Sequence, residues 1–278
     1  MRLPTGPAAV AVLATLIIAG CAGAPRPLRL ATTTSVDNSG LLEAILPAFR
    51  ADTGLDVQVL VVGSGRALAL LRRRDADAAI THDPAAERLL LDEGGVSRYR
   101  KIMYNDFLIV GPPEDPAGVR GAPDAAQAMG RIARSASSFV SRGDASGTHA
   151  REQQLWTRAG TSPAPERWLE TGQGMAATLR VASERRAYTL ADRASYVQLA
   201  SRLVLAPLVE GGPELLNTYA VIVMRGDPAQ EPHARRLAEW LSGGAGRGHI
   251  LAFGASHGAA FSTWPADIPA DAPEALPR

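Results

Sequence analysis

The chain has 278 residues, 29 basic against 28 acidic side chains, 46% hydrophobic residues and one cysteine. That length suits one large or two ordinary domains. A near-balanced charge gives no field for nucleic acid or an anionic membrane, and a lone cysteine excludes an internal disulfide.

In chain order, Met1-Arg2 precedes an apolar run from Ala8 to Ile18 and then Ala19-Gly20-Cys21. One positive residue, an apolar centre and small residues before a cut form an export signal, here residues 1–20. The apolar run is too short to span a bilayer comfortably. Ile18-Ala19-Gly20-Cys21 is similar to the lipobox of bacterial lipoproteins, which implies lipidation of Cys21. The alternative is an ordinary signal followed by a free thiol. Removing the signal takes away Arg2 alone among the charges, so 28 basic and 28 acidic residues remain. Residues 21–27 read as a tether. Lys101 is the only lysine, which reads as genome composition, not function.

Leu28–Ala31 predicts a first strand and Thr32–Asn38 a polar loop. Leu41, Leu42, Ile45, Leu46 and Phe49 then share a helical face. Val57–Val62 reads as a buried strand, broken at Gly63-Ser64-Gly65. A helix follows with Leu68 and Leu71 inward, then a strand at Ala78–Ile80. Asp83-Pro84 is a helix start, with the aspartate as N-cap and the proline at the first helical position. Strands alternating with helices predict parallel sheets covered on both faces, with ligands at the carboxyl ends of the strands.

Polar loops fall at those ends: Thr32–Ser35, Gly63–Gly65, Ser141–Thr148 and Thr171–Gly174. Two extended apolar runs, Met103–Pro112 and Leu216–Met224, read as crossings between lobes. Lobe one is then 28–106 with 219–278, and lobe two is 107–218. Four prolines between Trp264 and Arg278 predict an extended surface tail.

The stretch Ser141-Arg142-Gly143-Asp144-Ala145-Ser146-Gly147-Thr148-His149 carries the most chemistry. It sits between a short strand-like run and a helix-like run. Helix N-termini expose unpaired N–H groups and favour anions. An arginine adds a fork of donors suited to tetrahedral oxygens. The segment reads as a pocket for a small oxyanion.

Thr32-Thr33-Thr34-Ser35, Val62-Gly63-Ser64-Gly65, Met103-Tyr104-Asn105-Asp106-Phe107, Ser141-Arg142-Gly143-Asp144 and Ser146-Gly147-Thr148-His149 together resemble the tungstate-binding proteins of the TupA type. Glu170-Thr171-Gly172-Gln173-Gly174-Met175 and Ala187-Tyr188-Thr189-Leu190-Ala191-Asp192-Arg193 continue the resemblance, which runs from about residue 28 to about 255. Ser64 stands where the family pattern has threonine. The resemblance implies a type II periplasmic-binding-protein fold: two α/β lobes joined by two crossover strands, with a ligand cleft between them. It also implies an exported, lipid-anchored, monomeric protein outside the cytoplasmic membrane. Such a protein delivers tungstate to an ABC transporter permease with its ATPase, without cofactor or catalysis; the metal enters as the oxyanion.

Tungstate is a tetrahedral dianion with no proton at neutral pH, so a matching site supplies donors. Thr33, Thr34 and Ser35 would do so before the first helix, and Ser64 and Gly65 before the second. Arg142 would supply the positive charge, and Ser146, Gly147 and Thr148 the third helix start. Thr32–Ser35 and Ser64 can also be read as plain cap or turn residues, and Arg142 as a surface group or a partner of Asp144. Asp144 would repel a dianion, so it is expected behind the pocket, orienting Arg142 or capping the helix. Thr171 and Gly172 to Gly174 are expected to complete the pocket from lobe two, with Thr171 and Gly172 in it or in the same outer position. His149 is expected to be structural, and Tyr188, Tyr219 and Asp192 to line the cleft or hinge. His82 could approach the cleft, but capping by Asp83 accounts for that segment. Molybdate or phosphate on the same fold is the alternative. A serine hydrolase built on Ser146 and His149 lacks the Gly-x-Ser-x-Gly spacing.

Overall fold

The computed structural model describes residues 26–277. The predicted export signal, Cys21 and most of the tether lie outside the described residues. Strand β1 (Leu28–Thr33) and helix α1 (Thr34–Asn38) are followed by α2 (Leu41–Thr53), β2 (Val57–Val62), α3 (Ser64–Arg72), β3 (Ala78–Thr81) and α4 (Pro84–Asp92). The long β4 (Val96–Gly111) leads to α5 (Ala125–Arg134), β5 (Phe139–Ser141), α6 (Gly147–Ala159), β6 (Trp168–Glu170) and α7 (Met175–Arg185). Then come β7 (Thr189–Asp192), α8 (Arg193–Leu199), β8 (Ala206–Val209), β9 (Leu216–Met224), α9 (Glu231–Ser242), α10 (Gly244–Ser256) and β10 (Ser262–Thr263).

Local chemistry sets the helix ends. Asp83 accepts the N–H of Ala86 ahead of Pro84 and starts α4. Gly54, at φ +72°, ends α2 and donates its N–H to the Arg50 carbonyl. Thr32–Asn38 is not the predicted loop. The β-branched threonines Thr32 and Thr33 extend β1, and Thr34–Asn38 is a helix too short to show periodicity.

Strand β1 is flanked by β2 and β3 in parallel, whereas β9 runs antiparallel to both β3 and β4. The sheet is therefore mixed and not wholly parallel, because the long connecting strands enter it in the opposite sense. β4 pairs with β9 as far as Asp106 opposite Leu216. From Phe107 onward it pairs with β7 and β8 instead. One continuous strand thus serves two α/β lobes. β2 pairs with β1 alone; as an edge strand it is only partly covered, and Val61 is exposed, not buried as predicted.

Alternation along the strands feeds a core on each face. Leu28 and Leu30 of β1 and Tyr219, Val221 and Val223 of β9 pack with α2, α9 and α10. Ala31, Ala220 and Ile222 face α3 and α4 instead. In the second lobe, Phe107 and Ile109 join α5 and α6, while Leu108 and Val110 join α7 and Tyr196.

The proline-rich tail runs irregularly along the surface but is pinned to the fold. Trp264 is buried and donates its N–H to the Ile102 carbonyl. The ammonium of Lys101 is buried over the Trp264 ring, 4.7 Å from its centre, and donates to the carbonyls of Pro273 and Ala275. The single lysine is a structural clamp on the tail. Among the described residues no helix is long and apolar enough to cross a membrane.

Candidate functional site

The carboxyl ends of β1, β2 and β3 form one wall. The pairing of Ala31 with Ala79 carries Thr33 and Thr34 to the level of Thr81 and His82. The Thr33 and Ser35 hydroxyls are 3.0 Å apart, and both residues are buried. Ser64 is buried at the first position of α3, where its Oγ accepts the His82 N–H at 3.4 Å. Gly63 caps α3 without a side-chain partner, leaving its first-turn N–H groups free of side-chain acceptors. Thr34 is half-buried and Gly65 is exposed, so Gly65 can contribute only a backbone N–H.

The ends of β5, β6 and β7 form the facing wall. Ser141 pairs with Glu170, and Thr189 Oγ1 donates to the Val140 carbonyl at 2.7 Å. Arg142 follows β5 and is 3% exposed. Its guanidinium is ion-paired with Asp144, while its Nε has no partner. Asp144 Oδ1 also accepts the Ser146 N–H at 3.1 Å. Ser146 caps α6 by accepting the His149 N–H at 3.2 Å. The Gly172 N–H and the Thr171 hydroxyl both donate to the Arg142 carbonyl, at 2.9 and 3.3 Å. They brace Arg142 from behind.

The two walls touch. A Cβ built on Gly147 would lie 2.7 Å from His82 Cε1. Gln198 of α8 donates to the Ser39 carbonyl at 2.7 Å, a second link between lobes. His82 stacks on Tyr219 with ring centres 5.1 Å apart, and its Nδ1 lies 3.0 Å from Asn217 Oδ1. Asn217 Nδ2 donates to Asn105 Oδ1 and to the Tyr219 hydroxyl, at 2.9 and 2.8 Å. That orientation aims Oδ1 at His82, so His82 carries its proton on Nδ1. Burial pushes the imidazole down to about 4, against the Asn217 hydrogen bond, and the Arg142 and Arg151 cations lower it further. His82 is therefore neutral around pH 7.

Thr32 Oγ1, Ser141 Oγ, Arg142 Nε, Thr148 Oγ1, Asp192 Oδ2, Ser195 Oγ and Thr218 Oγ1 are all buried and have no hydrogen-bond partner. Buried polar atoms are ordinarily paired. These belong to strand ends, to adjoining first turns and to the connection at β9, and other such atoms, on Arg98, Trp156, Arg167, Gln230 and His233, are scattered through the fold. Asp192 caps α8 through Ser195, and burial raises its carboxyl above the usual range.

Thr33, Ser35, Ser64, Arg142, Gly147 and Thr148 thus come to facing walls, and Ser146 supports them as a cap. Tyr188 does not line the cleft or hinge: its hydroxyl pairs with Asp115 and the Ala117 N–H inside the second lobe. His149 Nδ1 accepts the Ala145 N–H at 3.1 Å, so it does not serve Ser146 as a base. Sequence reasoning set His82 aside and did not single out Asn105 or Asn217. The available signal was two asparagines in otherwise apolar runs, which the β4–β9 register makes direct partners. Glu87 was missed as well. It accepts from Thr81 Oγ1 at 2.7 Å, Tyr99 Oη at 2.8 Å and the Asp83 N–H at 3.1 Å, and so anchors the turn carrying His82.

The model of the PBP superfamily domain matches residues 22–243. Tungstate-binding protein TupA of Peptoclostridium acidaminophilum is 37% identical over 250 residues, covering 84% of this chain and 87% of that protein. A structure of TupA, the tungstate-binding protein of Desulfovibrio alaskensis G20, has a TM-score of 0.73 at 40% identity, covering 86% of this chain and 99% of that one. A structure of the tungstate ABC transporter from Geobacter sulfurreducens has a TM-score of 0.72 at 38% identity, covering 82% and 98%.

Proposed function

The chain belongs to the PBP superfamily and, within it, to the TupA-type tungstate-binding proteins, and from that membership we propose that it binds tungstate between its lobes and delivers it to an ABC transporter permease with its ATPase. The carrying observation is that Arg142 Nε and Thr148 Oγ1, two potential donors following β5 and opening α6, are buried without partners. Thr33, Thr34, Ser35, Ser64 and Gly65 contribute from one wall. Arg142, Ser146, Gly147 and Thr148 contribute from the other, with Asp144, Thr171 and Gly172 holding Arg142 in place.

Magnitudes favour a cage over a single contact. A charge-assisted hydrogen bond contributes about 1.5–3 kcal/mol, whereas nanomolar binding requires about 12 kcal/mol. Several donors held ready by closed lobes can reach that figure; one arginine cannot. Phosphate needs an acceptor for its proton, and Asp192 Oδ2 is a buried carboxylate oxygen of this region without a partner, so the preference against phosphate rests on the relatives and not on the donor set. Molybdate is disfavoured by the relatives, which are named for tungstate.

The change of strand partner at Asp106 and Phe107 supports a first crossing at 106/107, while the β9 register sets Leu216–Thr218 beside Tyr104–Asp106 and so favours a return near 215/216 over 218/219. We place the protein outside the cytoplasmic membrane as a monomer anchored through a lipid on Cys21. That rests on the family and on Ile18-Ala19-Gly20-Cys21. The carrier reading rests on the family, and Ser146 Oγ is engaged as a helix cap. Anomalous diffraction from crystals grown with sodium tungstate tests the site. A tungsten peak between Arg142 and Ser64 is the expected result, and a peak only elsewhere rejects it.

A further inference from the structure

Directly behind Arg142 lies an acid that tungstate binding does not obviously need. Glu152 sits one turn after Thr148 on α6, on the same face, and is fully buried. Its Oε2 accepts the Arg142 N–H at 3.4 Å, and its Oε1 has no partner. The nearby Ser141 hydroxyl is also buried without a partner of good geometry.

The surrounding charges make this arrangement costly when Glu152 is ionised. On the loop after β5, Asp144 already neutralises Arg142. On β6, Glu170 packs against Gly143, its Cβ 3.0 Å from where a Gly143 Cβ would stand. On β7, Asp192 is buried and capped onto Ser195. On α6 itself, Arg151 turns away to the carbonyls of Glu214 and Leu216. Arg142 is thus one guanidinium among four acids, Glu152 included, and a dianion is to be added to the same place. Burial, helped by Glu170 and Asp144, lifts the Glu152 carboxyl to about 7, against the hydrogen bond from the Arg142 N–H.

We propose that Glu152 is a proton-linked positioning residue, holding the Ser141–Arg142 backbone and taking up a proton as the dianion binds. The inference rests on the tungstate reading above. Tungstate carries no proton at neutral pH, so the proton comes from solvent and ends on the Glu152 carboxyl. A protonated Oε1 can then donate a hydrogen bond, which an ionised carboxylate cannot, and adds no charge beside the dianion. Linkage is reciprocal: what raises proton affinity on tungstate binding also makes tungstate bind tighter at lower pH.

Titration calorimetry of the exported chain with sodium tungstate, in buffers of differing ionisation enthalpy from pH 6 to 9, tests this. The expected result is net proton uptake near pH 7.5 and a Kd that weakens by up to about tenfold per pH unit above neutrality. E152Q should bind with no proton uptake and a flat profile over the same range. Tungstate binding without proton uptake, at a Kd constant across that range, overturns the inference whatever the variant does. Uptake that persists in E152Q overturns the assignment to Glu152. No heat at any pH instead contradicts the tungstate reading, and this inference with it.

Discussion

His82 and Gly147 meet across the cleft so closely that a methyl group on Gly147 would stand 2.7 Å from the imidazole Cε1. One belongs to the turn after β3, the other to the first position of α6. Gly147→Ala is expected to oppose lobe closure. Overpacking of this kind costs about 1–3 kcal/mol, so tungstate affinity should fall by about five- to a hundredfold. Small-angle scattering should show a radius of gyration that no longer contracts on adding tungstate.

Arg142 is the strongest single member of the cage. Arg142→Gln should weaken tungstate binding by more than about tenfold, the factor that 1.4 kcal/mol represents. Titration calorimetry reads this directly, and an unchanged affinity would remove Arg142 from the site.

How far these positions could be read from sequence depended on whether their neighbours were local. Leu41, Ile45 and Phe49, or Leu68 and Leu71, follow helical spacing, so α2 and α3 were visible at once. The strand-to-helix hand-over at Ser141–Gly147 was visible because cap, glycines and arginine are contiguous. α1 was hidden because five polar residues show no periodicity. β2 looked buried because its β-branched run does not say that it lies at a sheet edge. The role of His82 was hidden for a different reason: Asp83-Pro84 fully explains the local sequence, and its partners Asn217 and Gly147 come from distant parts of the chain. The Lys101 clamp likewise depends on carbonyls supplied by the tail.

The neutral state of His82 has a pH consequence. Its imidazole titrates at about 4 when folded, against about 6.5 when unfolded. The unfolded chain therefore binds more protons between these values. The contribution is present above about 6.5 and lost as pH falls toward 4, amounting to roughly 3 kcal/mol. Glu152 works oppositely: its raised value means stability is lost as pH rises from about 4.3 toward neutrality. Urea denaturation of His82→Gln and of wild type at pH 7 and pH 5 separates them. The wild type should lose more on acidification.

Lys101→Met keeps the bulk of the stem but leaves the Pro273 and Ala275 carbonyls without their donor. Unmade hydrogen bonds of buried groups cost about 1–3 kcal/mol each. The tail should loosen first, so limited proteolysis with proteinase K should cut within residues 264–277 well before it does in wild type. Equal cleavage rates would show that the clamp does not hold the tail.

The central claim is that donors from two lobes close around a fully deprotonated tetrahedral metal-oxo anion. Competition among tungstate, molybdate, sulfate and phosphate for the exported chain lacking residues 1–21, read by thermal shift, tests it most directly. The largest stabilisation should come from tungstate, with phosphate giving none. A shift with phosphate and none with tungstate would contradict the account.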